Sequence, residues 1–157
     1  RQIAQREIKR EGKKIEDIRS REIRGEKVLK SNLELEIIEY DTSVSKEYFI
    51  SYKTKDTDKI CSFLRLSLPN QKPYIEELTD SSMIREVHVY GNVVRIGKES
   101  KGESQHLGLG KEMIELAEKI SKENGFNKIS VISAIGTREY YKKRGYNYGR
   151  LYMHKSL

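Results

Sequence analysis

Two glycines, Gly108 and Gly110, open onto an amphipathic stripe, and this junction limits the possible folds more than any other stretch of the chain. From Leu109, apolar residues recur at Met113, Leu116, Ala117 and Ile120, the spacing of a helix packed on a core, predicted over 109–123. The first turn of such a helix carries N–H groups without an intrahelical acceptor, and glycine keeps side chains away from them. With the positive end of the helix dipole, those groups make a place for a phosphate or pyrophosphate. Lys111 adds a positive charge where it opposes the dipole, a disfavoured choice unless an anion sits there. Taken alone, the short motif fits a glycine-containing turn before an ordinary surface helix equally well.

The preceding chain reads mainly as strands. Residues 33–40 alternate Leu33, Leu35 and Ile37 with Glu34 and Glu36, the pattern of a half-buried strand. Further strands are predicted over 48–52, 60–68 and 83–90, with a turn at 55–59. Residues 97–104 read as a polar loop with two glycines. After the helix come a strand over 129–135 and a short helix to about Arg144, with Thr137 as its N-cap and Gly145 as its stop. A last strand is predicted over 146–153. The expected class is α+β, a mixed and mostly antiparallel sheet flanked by helices. Residues 1–30 read as a basic helix and connector, and 31–157 as one folded domain.

Cys61 is the chain's one cysteine, which excludes an internal disulfide and any cysteine-ligated zinc or iron–sulfur site within it. It lies in the apolar run 60–66 and is expected to be a buried small hydrophobe; no metal is expected. No apolar run reaches the length of a membrane span and the N-terminus has no signal-peptide core, so a soluble cytoplasmic protein without a membrane partner is expected. The net charge of +7 is uneven: residues 1–30 hold 11 Lys/Arg against 6 Asp/Glu, and the rest 20 against 18. Such an arm suits a polyanion, nucleic acid before membrane, with Arg6, Lys9, Arg10, Lys13, Lys14, Arg19, Arg21 and Arg24 as candidate phosphate contacts. A solvated helix laced with charge pairs has the same composition.

The stretch Gln105-His-Leu-Gly108-Leu-Gly110 is followed some thirty residues later by Gly136-Thr-Arg-Glu-Tyr140-Tyr141-Lys-Lys-Arg-Gly145-Tyr146. In this order the pair resembles the GNAT superfamily of acyl-CoA-dependent N-acetyltransferases. Residues 18–22, 85–91 and 129–141 resemble, more closely, the C-terminal acetyltransferase region of the Elongator catalytic-subunit family and the connector before it. This resemblance implies a GNAT fold and acetyl-CoA as cofactor. It also implies that the main chain of Glu86, Val87, His88 and Val89 lines the pantetheine arm, while Gln105, Gly108, Leu109, Gly110 and Lys111 hold the pyrophosphate. Tyr141 stands where the superfamily places a proton donor to the departing sulfur, with Tyr140, about 100° round the helix, as the alternative.

Full-length members resemble one another in a further radical-SAM domain, which uses S-adenosylmethionine and an iron–sulfur cluster; that domain is absent here. The connector stretch 15–20 lacks the cysteines that hold zinc in some members. The implied activity is supply of the acetyl unit for carboxymethyl-type modification at C5 of the wobble uridine of tRNA, in concert with the radical-SAM domain. Glu86 and His88 are the candidates for a base. A protein lysine N-acetyltransferase and a non-catalytic acyl-CoA- or RNA-binding module are the alternatives. The connector and the pyrophosphate loop, far apart in sequence, are expected to act independently.

Overall fold

A computed structural model describes residues 2–13, 17–24, 27–90, 92–94 and 108–157. In chain order these form α1 (Gln2–Arg10), α2 (Ile18–Arg21), β1 (Lys27–Leu29), β2 (Leu33–Asp41), β3 (Ser45–Thr54) and β4 (Ile60–Pro69). There follow β5 (Ser81–Val89), β6 (Asn92–Val94), α3 (Leu109–Glu123), β7 (Lys128–Val131), α4 (Arg138–Lys142), β8 (Asn147–Tyr148) and β9 (Met153–Ser156). Seven strands make one mixed sheet in the order β2-β3-β4-β5-β7-β9-β8, and β1 pairs β6 apart from it. The class is α+β, as the patterning predicts.

Within the large sheet β5 and β7 are the parallel pair; every other pairing is antiparallel. A parallel pair needs a crossover, and α3 lies on that path. Its apolar stripe, Met113, Ile114, Ala117 and Ile120, packs with Ile50, Leu64, Leu66, Ile84, Ile129 and Val131 in the main core. Burying one such side chain stabilises by roughly 1.5–3 kcal/mol, so the stripe fixes the helix on this face of the sheet.

The parallel pairing is short. It runs from Ser81 opposite Lys128 to Ile84 opposite Val131 and then stops. Arg65 pairs with Glu86 and Leu66 with Ile84, so Arg85 is an extra residue that bends β5. Beyond it β5 stays with β4 as far as Val89, while β7 has already ended. The β7-facing edge of 85–89 therefore has no strand beside it among the described residues.

Several expectations change for tertiary reasons. The strand predicted over 129–135 ends at Val131, because β5 has diverged and the ladder to β9 reaches no further than Val131 opposite Met153; Ile132 and Ile135 are exposed. The single strand predicted over 146–153 is a hairpin, β8 and β9, closed by Gly149 N–H donating to the Tyr152 carbonyl at 2.8 Å. Strand β2 is an edge strand, and Leu35, Ile37, Ile38 and Tyr40 are exposed rather than half-buried, since α3 sits over the centre of the sheet. Thr137 is no side-chain cap: its hydroxyl donates back to the Ala134 carbonyl at 2.9 Å. The predicted loop 97–104 lies outside the described residues.

The connector is not independent of the helix entry. Ile23 and Val28 are buried with Leu33, Cys61 and Leu109, the first residue of α3. Ile23 N–H donates to the Ile60 carbonyl at 3.0 Å, and Lys30 pairs with Glu112 in the first turn of α3. Tyr52 donates to the other oxygen of Glu112 at 3.0 Å. Cys61 is fully buried, as its apolar setting predicts.

At the far end, Glu77 fastens the β8–β9 hairpin to the chain before β5. Its carboxylate accepts N–H bonds from Arg150 (2.7 Å), Leu151 (2.9 Å) and Tyr152 (3.3 Å) and lies 2.8 Å from His154 Nε2. His154 Nδ1 is 2.8 Å from Ser130 Oγ, and Ser130 is 2.5 Å from Ser81 Oγ. The His154 contact and these N–H bonds hold the Glu77 carboxyl down to about 2. A carboxyl depressed in the folded state stabilises above its unfolded value of about 4.3 and loses that contribution as pH falls toward the folded one. Glu77→Gln should therefore lower Tm at pH 7, and the gap to the parent should close between about pH 4.3 and 2. Melting curves across that range check it, and a gap constant with pH contradicts it.

Candidate active site

Gly108 precedes α3 in the left-handed region, with φ +74°, a conformation open to glycine at little cost. No side chain caps the helix, and its first intrahelical bond runs from Glu112 N–H to the Gly108 carbonyl at 2.9 Å. The N–H groups of Leu109, Gly110 and Lys111 therefore lack intrahelical acceptors at the positive end of the dipole. Buried Leu109 anchors the turn, while Lys111 projects into solvent 3.6 Å from Glu115.

Just past β5, Tyr90 N–H donates to the Cys61 carbonyl at 2.7 Å, toward β4. Main-chain groups alternate along a strand, so those of Val89 and Val87 face the side that β7 has left. Their side chains pack on the main core. Glu86 and His88 project from the opposite face, with His88 Nε2 3.0 Å from Glu86 Oε1 and Arg65 3.7 Å from Glu86. The His88 ring stacks at 5.3 Å from Phe63 and 5.7 Å from Tyr90.

The two tyrosines of α4 part company. Tyr141 is buried in the main core, edge-on to Tyr140 at 5.4 Å and to Tyr146 at 5.5 Å. Burial pushes its phenol up to about 12. Tyr140 turns outward to α3: a Cβ on Gly110 would stand 2.8 Å from the Tyr140 hydroxyl and 3.5 Å from Val89 Cγ2. Strand β5, helix α3 and helix α4 thus meet at Gly110. Burial also raises the Tyr140 phenol, against the nearby Arg144 charge, which lowers it.

The structure brings Val89, Gly110 and Tyr140 to one point, with Gly108, Leu109 and Lys111 around the helix entry. Of the basic set, Arg6, Arg10, Lys13, Arg19 and Arg24 are exposed. Arg21 turns inward: it reaches Asp58 Oδ1 at 2.7 Å and the Asp58 carbonyl at 3.2 Å, which commits it to the fold. Gln105 and Lys14, and the side chain of Lys9, lie outside the described residues. Sequence reasoning missed the Tyr52–Glu112–Lys30 cluster, for which no local signal exists. It also missed Arg144, which the i, i+4 spacing from Tyr140 could have revealed. Among the described residues no group of three or more His, Cys, Asp or Glu side chains is placed to hold a metal ion. No helix there is long and apolar enough to cross a membrane.

No family model matches the chain. It is 37% identical over its whole length to Elongator complex protein 3 of Schizosaccharomyces pombe, covering 30% of that protein. It is 43% identical, over 76% of its length, to the tRNA uridine(34) acetyltransferase of Methanocaldococcus jannaschii, covering 22% of it. The solved Elongator protein 3 of Methanocaldococcus infernus superposes on 99% of the chain with a TM-score of 0.82 and 32% identity, over 38% of that chain. The chain matches the C-terminal acetyltransferase region of the Elongator catalytic-subunit family. It spans about 30% of the length of its first curated relatives. A GNAT-family acetyltransferase from Desulfovibrio desulfuricans shares the fold, with a TM-score of 0.50, 12% identity and 70% of the chain covered.

Proposed function

We propose that this chain is the acetyl-CoA-binding acetyltransferase region of a tRNA-modifying enzyme, acting toward C5 of the wobble uridine. The observation that carries the reading is the divergence of β5 from β7 beside an uncapped helix entry. A strand edge unpaired among the described residues leads there to helix N–H groups without intrahelical acceptors, which suits an amide-bearing arm that ends in a pyrophosphate. Bound in this position, acetyl-CoA supplies an activated acetyl thioester.

The N–H groups of Leu109, Gly110 and Lys111 hold the pyrophosphate, with Gln105 before them. Val87 and Val89 offer main-chain groups to the arm, with Glu86 and His88 beside them on the strand, and one of the free N–H groups polarises the thioester carbonyl. The resemblance assigns Tyr141, edge-on to Tyr140, to the departing sulfur. Its phenol stands at about 12 against roughly 8.5 for a thiol, so giving up the proton is uphill by roughly 5 kcal/mol. Tyr141 therefore acts by donating a hydrogen bond to the thiolate. Acetyl transfer to carbon requires no base to deprotonate an amine, which leaves the Glu86–His88 pair outside the first step. One buried cysteine offers no ligand set for an iron–sulfur cluster, so S-adenosylmethionine chemistry belongs to another domain of a longer protein. The exposed arginines of the connector bind tRNA through its phosphates.

Gly110→Leu should drive a side chain into the Tyr140 hydroxyl and cover the N–H groups. Acetyl-CoA affinity by calorimetry should fall at least about tenfold with an unchanged far-ultraviolet spectrum, as expected when one strong anion-binding group is covered. Equal affinity removes the cradle.

Tyr141→Phe should keep acetyl-CoA affinity and slow thioester cleavage by about 10²-fold, the low end for such a group. Stopped-flow release of free thiol measures it. Cleavage at the parent rate moves the role to another residue.

Neutralising Arg10, Arg19 and Arg24 together should flatten the log–log salt dependence of tRNA affinity by up to about 0.9 for each phosphate no longer neutralised. Filter binding across a salt series reads the slope. An unchanged slope with a lowered Tm assigns these arginines to the fold instead.

A further inference from the structure

Arg144 lies just beyond α4, where its N–H donates to the Tyr141 carbonyl at 2.9 Å and Gly145, at φ +86°, turns the chain away. Its guanidinium carbon sits 3.3 Å from the centroid of the Tyr140 ring. Nη1 donates to the Tyr140 carbonyl at 2.6 Å. Nε is buried without a hydrogen-bond partner, and no carboxylate among the described residues pairs with this arginine. The half-buried side chain thus spends its guanidinium on one aromatic face and one carbonyl, a contact that suits a planar guanidinium better than an ammonium. Tyr141 meets the same ring edge-on, so two neighbours hold it. The hydroxyl at the far end of the gripped ring is the atom that lies against Gly110, with Val89 beside it.

We infer that Arg144 is a positioning residue: stacked on Tyr140, it fixes that phenol as a rigid side wall where β5, α3 and α4 meet, and so sets the opening through which the pantetheine arm of an acyl-CoA passes. The inference rests on the proposed acetyl-CoA site and adds a residue that acts through another rather than on the cofactor. A freely turning Tyr140 leaves its place against Gly110, and the width of the opening then varies. A clamped one leaves the channel at constant width and offers its hydroxyl as a fixed polar contact. The energetic benefit is preorganisation, the ordering of a wall before the ligand arrives.

The test is a double-mutant cycle on acetyl-CoA affinity, read by calorimetry with Tm measured for each variant. Arg144→Gln should weaken binding by about 5–10-fold, between the exposed and the desolvated ends of the range for a cation–π contact. The same change in a Tyr140→Ala background should alter affinity less than about twofold, because the ring it holds is gone. Arg144→Lys keeps the charge and should recover less than half of the loss. Equal losses in the two backgrounds overturn the inference. Full recovery by lysine also overturns it, since the effect is then simple attraction for the pyrophosphate. If Arg144→Gln does not fold, the Arg144→Lys arm of the cycle decides on the same criterion. A parent chain that fails to bind acetyl-CoA overturns the functional reading and the inference together, whereas a binding parent with an additive cycle overturns the role of Arg144 alone.

Discussion

The early end of the β5–β7 ladder is the constraint on which the rest of the site depends. A parallel pair is normally sealed along its length, and its main-chain groups are spent on each other. Here four residue pairs form and the extra residue Arg85 then turns β5 aside, so the groups of Val87 and Val89 have no strand beside them among the described residues. Helix α3 crosses from one strand to the other and brings its uncapped entry beside that opening. Closing the ladder would satisfy those groups and abolish the site. The architecture tolerates a local defect because the core on the α3 face is already complete, with Leu64, Leu66, Ile84 and Ile129 fully buried.

Local signals were most legible where they were redundant. Helix α3 runs from Leu109 to Glu123 as its stripe predicts, because a strong period, entry glycines and Asn124-Gly125 at its end all agree. Elements fixed by distant partners were not legible. Glu77 splits the predicted last strand from more than seventy positions away, and nothing in 146–153 announces a carboxylate that collects its N–H groups. The outward face of β2 is likewise invisible to alternation, which shows that a strand has two faces and not whether anything covers either.

The candidate site was legible as pieces and less so as an assembly. Val89, Gly110 and Tyr140 are each in the predicted sets, and the structure adds that they meet at one point. Adjacent tyrosines on a helix must diverge, yet only the packing shows which one enters the core: Tyr141 goes against Tyr146, and Tyr140 goes to the helix entry. Burial in turn sets the chemistry. A phenol held at about 12 is a poor proton source and keeps its hydrogen at neutral pH.

The packing of the connector under α3 has a consequence for how the two ends of the molecule influence each other. Ile23 and Val28 share a small core with Leu109, and Lys30 and Tyr52 both grip Glu112, one turn inside the helix. The first turn of α3 is therefore joined to the connector, through Ile23, Val28 and Lys30, as well as to the sheet, through Tyr52. Thermodynamic linkage makes such a joint work in both directions: whatever displaces the connector at Ile23 or Lys30 changes the free energy of an anion at the helix entry, and an anion there changes the connector by the same amount.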